Sequence, residues 1–319
     1  MKLDIKALSS PAGALFLLGL SVLLTACTAP AAPAPEASPE ASGQVLFTDA
    51  LGQSVAVSDP ARVVVCTGSL AEIWRLAGGD LLGATSDAFE DGFADPDQTA
   101  DVGGLHDPNP ERILSLRPAL VILSADIAKQ TALKEPLAAA RVPTAYFSVE
   151  TFADYLAMLG ICTDITGRDD LYAQNGTAVA ADVAAVLERT KGKPAPTVLL
   201  IRAGAGKVTA RGSDTMAGSM LKEMGCVNIA DSAGSLLSDL SLEVIIQEDP
   251  DYILAVAMGD ETGNKQLLDA LFQSNPAWRH LAAFENNRYV LLPKDLFHQK
   301  PNNRWAESYE CLWDILYGA

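Results

Sequence analysis

The chain has 319 residues, 49% of them hydrophobic and 20% charged, which is enough to bury the cores of two ordinary domains and excludes disorder of the whole. Its formal charge of -17 repels polyanions and sets nucleic-acid binding aside. The acidity serves solubility or, on a sharper reading, favours cationic or metal-bearing ligands.

Lys2 and Lys6 precede an apolar run, Ala12 to Leu24, too short for a lasting membrane span but of the form of an export signal over residues 1–26. Leu24-Thr25-Ala26-Cys27 looks like a bacterial lipobox, in which Cys27 is acylated, for example with palmitate, and becomes the new N-terminus. Several acyl chains on one residue anchor stably where a single chain does not. Residues 27–44 are rich in Ala, Pro, Glu and Ser and read as a disordered, extended tether. Cys66, Cys162, Cys226 and Cys311 remain; an even count permits disulfides, but their apolar settings suit buried thiols and no bridge is assigned.

In chain order, Leu46 to Val57 reads as a hairpin around Gly52 and Arg62 to Cys66 as a buried strand. A helix, Leu70 to Leu76, follows with Ser69 as its N-cap, then a short strand, Leu81 to Ala84, and a long acidic loop, Asp87 to Pro110. Helix Pro110–Leu116, strand Leu120–Leu123, helix Ala128–Ala140, strand Thr144–Phe147 and helix Phe152–Cys162 complete the first half, 45–167. Strand and helix alternate throughout, the pattern of an α/β layer with a mainly parallel sheet.

Asp169 to Lys191 reads as one helix, with Tyr172, Val179, Val183, Val186 and Leu187 at helical spacing amid an alanine run. At about 1.5 Å per residue it spans roughly 34 Å, the length of a strut between two bodies. The linker is therefore placed at 168–192, with Gly176 as its weak point.

The second half, 193–319, repeats the plan. It has strand Thr197–Ile201, helix Met216–Met224, strand Val227–Ile229, helix Leu242–Gln247 and strand Tyr252–Val256. Helices at Leu267–Phe272 and Trp278–Leu281, strand Arg288–Leu292 and a final helix striped by Trp305, Tyr309, Leu312, Trp313 and Leu316 close it. Glu111 to Leu123 aligns without gaps on Glu243 to Ala255: in each, a Glu opens an apolar helix and Pro118 or Pro250 stops it before a buried strand.

Asp49–Gly52, Pro60–Val65, Val102-Gly103 and Asn109–Pro118, followed by Gly225–Ile229, Leu240–Glu243, Asp249–Asp251, Pro276–Trp278 and Asn287–Val290, are individually loose motifs. In this number and order they resemble the substrate-binding lipoproteins of ABC importers for iron complexes, haem and cobalamin, from about residue 45 to the end. The resemblance implies an α/β fold of two lobes, each with a mainly parallel sheet flanked by helices, joined by one long rigid helix. It implies a membrane-anchored, extracytoplasmic receptor, not an enzyme, that captures an iron-siderophore-type chelate between its lobes. The partners implied are a permease dimer with its ATPase subunits, onto which Glu111 and Glu243 would dock; each also suits the positive end of its helix. A haem or corrinoid receptor of the same fold is the alternative. Two departures stand out: Ala119 replaces the Asp that Asp251 keeps, and Asn175 and Gly176 interrupt the strut with poor helix formers.

Ligands of open α/β sheets bind beyond the carboxyl ends of the strands. That rule nominates Thr67, Ser69, Ser86, Ser124 and His106 from the first lobe. From the second it nominates Arg202, Lys207, Arg211 and the segment from His298 to Arg304, with Lys300 and Asn302 among its donors and Trp305 as an aromatic face. Three cations within ten residues of an acidic chain suit an anionic group, and an arginine fork fits carboxylate or catecholate oxygens. Taken singly, each nominee also reads as a surface or capping residue, and Asn302 or Asn303 as a helix N-cap. Three histidines do not make a preformed transition-metal site, although His298, or less readily His106, could be an axial ligand to a haem iron. A surface enzyme is the competing class. Yet Gly204-Ala205-Gly206-Lys207-Val208 lacks the first Gly and the Ser or Thr of a phosphate loop, and no Gly-x-Ser-x-Gly elbow occurs.

Overall fold

The computed structural model describes residues 44–318. The export signal, Cys27 and nearly all of the tether lie outside the described residues. Among the described residues, no helix is long and apolar enough to cross a membrane.

The first lobe opens with an antiparallel hairpin, β1 (Val45–Thr48) and β2 (Ser54–Val57), turned at Gly52 with φ of 74°. The buried Asp49 pins it: one carboxylate oxygen accepts from the Leu51 and Gln53 amides, the other from the Tyr146 amide. The sheet follows from the apolar runs. β3 (Val63–Val65), β4 (Leu81–Ala84), β5 (Ala100–Asp101), β8 (Leu120–Ser124) and β9 (Thr144–Phe147) pair in the order β5-β4-β3-β8-β9, all parallel. Between β5 and β8 lies the small hairpin of β6 (Gly103–Gly104) and β7 (Asp107–Pro108).

Two local expectations are corrected here. The first helix is Gly68–Leu76 with Thr67 at its N-cap, so Ser69 lies inside the first turn rather than at the cap. The segment read as one acidic loop begins with a helix, Ser86–Glu90.

In the second lobe β10 (Thr197–Gly204), β11 (Lys207–Ala210), β12 (Val227–Asn228), β13 (Tyr252–Ala257) and β14 (Tyr289–Leu291) form the order β11-β10-β13-β14, with β12 also paired to β10. All pairs are parallel except β10 with β11. The repeat is now structural. Helix Pro110–Ser115 feeds β8 beside β3, and helix Leu242–Glu248 feeds β13 beside β10. The hairpin partner β11 has no counterpart in the first lobe.

Between the lobes the chain is helical from Asp169 to Thr190, interrupted by one π-helical turn, Ala173–Thr177. The interruption falls on the two poor helix formers and is anchored. Asn175 is buried, its amide donates to the Leu76 carbonyl (2.9 Å), and its own carbonyl accepts from the Tyr155 hydroxyl (2.7 Å). Farther along, Val179, Val183 and Val186 are buried, while Arg189 pairs with Glu310 and lies 4.3 Å from the centre of the Trp313 ring.

Those last partners belong to the final helix, Trp305–Tyr317, which is a second element crossing between the lobes. Trp305 packs on Phe152 of the first lobe at 5.7 Å, and the Tyr309 hydroxyl donates to Glu223 of the second at 2.5 Å. One apolar core therefore runs from β3 and the helix Gly68–Leu76 through the linker and final helix to β10, β13 and the helix Met216–Glu223. Full burial of an aromatic side chain in such a core stabilises by roughly 3 kcal/mol. Cys66 and Cys162 are buried in the first lobe, and all four cysteines of the described residues are free thiols. Burial pushes the Cys66 thiol up to about 12, so it stays protonated and inert.

Candidate functional site

In the first sheet the chain leaves β3 toward β4 and leaves β8 toward β9, so the carboxyl ends of β3 and β8 form a switch point. Gln130, fully buried, fixes that gap: its amide donates to the carbonyls of Cys66 (2.5 Å) and Leu105 (2.9 Å) and its oxygen accepts from the Ser124 amide (2.7 Å). β10 and β13 make the corresponding ends in the second sheet. Between the two sets of strand ends lies a cavity of roughly 780 Å³. That volume suits a metabolite or metal chelate.

Thr67, Ser69 and Ser124 line the cavity from the first lobe and Arg202, Arg211 and His298 from the second. The two arginines come together through the hairpin. Arg202 sits in β10 opposite Thr209 of β11, and Arg211, just past β11, donates its amide to the Leu200 carbonyl at 2.9 Å. Burial, and then the neighbouring Arg211 charge, lower the proton affinity of the Arg202 guanidinium, against a smaller opposing effect of Glu150. Among the described residues neither arginine has an ion-pair partner, and the Arg211 Nε is buried with no acceptor. Two adjacent guanidinium groups, partly desolvated and without an ion-pair partner among the described residues, have the chemistry to receive an anion.

His298 is committed differently from an axial ligand. Its Nε2 accepts from the Gly259 amide at 3.0 Å, so the neutral ring carries its proton on Nδ1, which is buried without a partner. Burial first and Lys294 second hold its pKa below the usual imidazole value, against Asp91. In this arrangement Nε2 is engaged by the Gly259 amide, so His298 presents no free lone pair to the cavity.

Six other expected contacts lie away from the cavity lining. β10 runs on to Gly204 and turns at Ala205 and Gly206, which carries Lys207 to the exposed hairpin tip. His106 is exposed beside Leu105, which does line the cavity. Asn302 is fully buried at φ of 50° and donates to the Ser69 carbonyl (3.0 Å) and Glu72 (2.5 Å), so it fastens the lobes rather than touching a ligand. Arg304 is held by Asp295 (3.1 Å) and Glu307 (2.8 Å). Trp305 is in the core with no exposed surface. Ser86 borders a separate shallow pocket with Phe89 and Thr99.

The sequence did not single out the carboxylates of the first wall, Asp87, Glu90, Asp91, Asp126 and Glu150, nor Lys294 opposite, whereas Lys300 falls in the nominated segment from His298 to Arg304. They sit on four separate connections, and no spacing rule gathers them. Glu150 and Lys300 are joined across the cavity at 2.6 Å, and the Gln299 amide donates to Asp91 at 2.6 Å. Among the described residues no cluster of His, Cys, Asp or Glu has the arrangement to hold a metal ion.

A family model described as periplasmic binding protein matches residues 63–296, most of both lobes and the helix between them. The chain belongs to the periplasmic binding protein family. Solved structures share the fold. An ABC transporter substrate-binding protein from Listeria monocytogenes is similar at 21% identity over 81% of this chain and 98% of its own, with a TM-score of 0.65. The periplasmic heme-binding protein RhuT from Roseiflexus sp. RS-1 matches at 23% identity over 81% and 98%, TM-score 0.64. The petrobactin-binding protein YclQ from Bacillus subtilis matches at 21% identity over 86% and 99%, TM-score 0.67. Among curated protein sequences none matches significantly. Except for Phe297, His298, Gln299 and Lys300, the residues lining the interlobe cavity lie within the segment that the family model covers.

Proposed function

We propose that this periplasmic binding protein is the substrate-binding component of an ABC importer, and that it holds an anionic metal chelate of the iron-siderophore type in the interlobe cavity. The observation that carries this reading is the unpartnered pair Arg202 and Arg211 at the cavity wall. Carboxylate or catecholate oxygens around a chelated metal supply the charge that the pair lacks. Thr67, Ser69 and Ser124 add hydroxyl groups from the opposite lobe, and His298 supports the wall as a neutral ring. The metal arrives inside its own chelate and is cargo; the protein catalyses no reaction on it.

Glu111 and Glu243 support delivery to a permease dimer. Each is exposed in the first turn of the equivalent helix of its lobe, and neither has an ion-pair partner among the described residues. Acylation of Cys27 would hold the receptor at the extracytoplasmic face of the membrane, and a Cys27→Ala chain that stays with the membrane fraction would contradict that anchoring. The test of the cavity is quenching of tryptophan fluorescence by ferric tris-catecholates, ferric carboxylate chelates, haem and cobalamin. Saturable binding of an anionic ferric chelate supports the reading. Binding of haem or cobalamin alone replaces it with the tetrapyrrole alternative, and turnover of any of them favours an enzyme.

A further inference from the structure

The two walls of the cavity differ in charge: the first-lobe side is carboxylate-rich, and the second-lobe side is mainly cationic, with Asp214 the exception. On the first-lobe side stand Asp87, Glu90, Asp91 and Asp126, and among the described residues none of the four is in an ion pair. Opposite stand Arg202, Arg211 and Lys294, equally unpaired among the described residues, together with one carboxylate, Asp214. Glu150 and Lys300 show that a cross-cavity pair is sterically attainable here, since they close to 2.6 Å; the remaining charges stay apart.

Buried atoms point the same way on each side. Asp87 Oδ1 on the acidic wall and Arg211 Nε on the basic wall are both shielded from solvent and both lack a partner. An uncompensated charge in such a place is costly until a charge of opposite sign arrives nearby. The helix ends follow the same division. In the first lobe the N-terminus of Gly68–Leu76 is already occupied by a carboxylate, because Asp87 Oδ2 accepts from the Gly68 amide at 2.6 Å. An anion has no seat there. In the second lobe the corresponding helix, Met216–Glu223, begins at the cavity through Thr215 and Met216, on the same side as Arg211.

Resting on the reading of the cavity as a chelate site, we infer that its ligand is bipolar: an anionic metal-binding centre lies on Arg202 and Arg211, and a cationic amine arm of the same molecule lies against the Glu90, Asp91 and Asp126 wall. The acidic wall thus sets specificity, rejecting chelates that are anionic on every side.

The test uses the full chain and two ferric complexes of one synthetic tris-catecholate, identical except that one bears a free primary amine and the other has that amine acetylated. The amine-bearing complex is expected to bind about tenfold more tightly, the effect of one charged hydrogen bond. The triple variant Glu90→Gln, Asp91→Asn, Asp126→Asn should remove that preference while still binding the acetylated complex. Its three side chains are exposed, and Asp87, which holds the Gly68 amide, is left intact. Equal affinity of the two complexes for the unmodified chain overturns the inference and leaves the chelate site standing. A preference that survives in the triple variant also overturns it. Failure of both complexes to bind overturns the chelate site itself, and the inference with it.

Discussion

Glu150 of the first lobe and Lys300 of the second meet at 2.6 Å across the cavity, one of the few polar links between its two walls. Both side chains are partly open to water, so the pair is screened and contributes less than about 1 kcal/mol. Glu150→Gln should therefore move the thermal midpoint by no more than roughly 2 °C. A fall several times larger in calorimetry would show that the lobes depend on this one latch.

Trp305 makes the contrasting case. Its ring is wholly buried against Phe152 and Tyr309 where the final helix crosses from one lobe to the other. Trp305→Ala should cost about 3–5 kcal/mol by leaving a void, lowering the midpoint by roughly 10 °C. Arg304→Ala, which removes only solvated ion pairs, should cost less than about 1 kcal/mol. Equal effects of the two would contradict the assignment of Trp305 to the core.

Glu111 and Glu243 are predicted to matter for transport and not for binding. Replacing both with Ala should abolish uptake in cells while titration curves of the isolated receptor stay unchanged. Retained uptake would reject docking through these helix ends.

His298 gives stability a pH dependence of defined sign. Its folded pKa lies below the usual 6.5 because burial and Lys294 disfavour the charged ring. Between the two values the unfolded chain binds a proton that the folded chain does not, so stability falls as pH drops through about 6.5. Urea midpoints measured at pH 7.5 and 5.5 should draw closer together in His298→Gln than in the unmodified chain. An unchanged difference would contradict the neutral, Nδ1-protonated ring.

Much of the architecture was legible because it is written in local patterns. Pro118 and Pro250 stop equivalent helices ahead of β8 and β13, and the apolar runs Val63–Val65 and Tyr252–Ala257 announce strands buried on both faces. Asn175 and Gly176 marked the place of the π-helical turn, though nothing in the sequence shows that Leu76 and Tyr155 hold it.

The site was legible only in part, for the same reason. Arg202 and Arg211, nominated through the strand-end rule, line the cavity. Lys207 was grouped with them because the strand was read as stopping at Ile201, whereas β10 continues to Gly204 and folds back as β11. Asn302, Arg304 and Trp305 share a short segment with His298, yet the backbone turns at Asn302 and sends Asn302 and Trp305 into interlobe packing and Arg304 onto Asp295 and Glu307. The carboxylate wall and Gln130 come from separate connections that only the folded sheets bring together.

The most direct test of the receptor reading is isothermal titration of an anionic ferric tris-catecholate into the unmodified chain, Arg202→Ala, Arg211→Ala and the double variant. Each single variant should lose at least about 1.5 kcal/mol of binding, roughly tenfold in Kd, and the double variant more. Titration curves that superimpose for all four chains would contradict the arginine pair as the anion seat and, with it, the proposed function of the cavity.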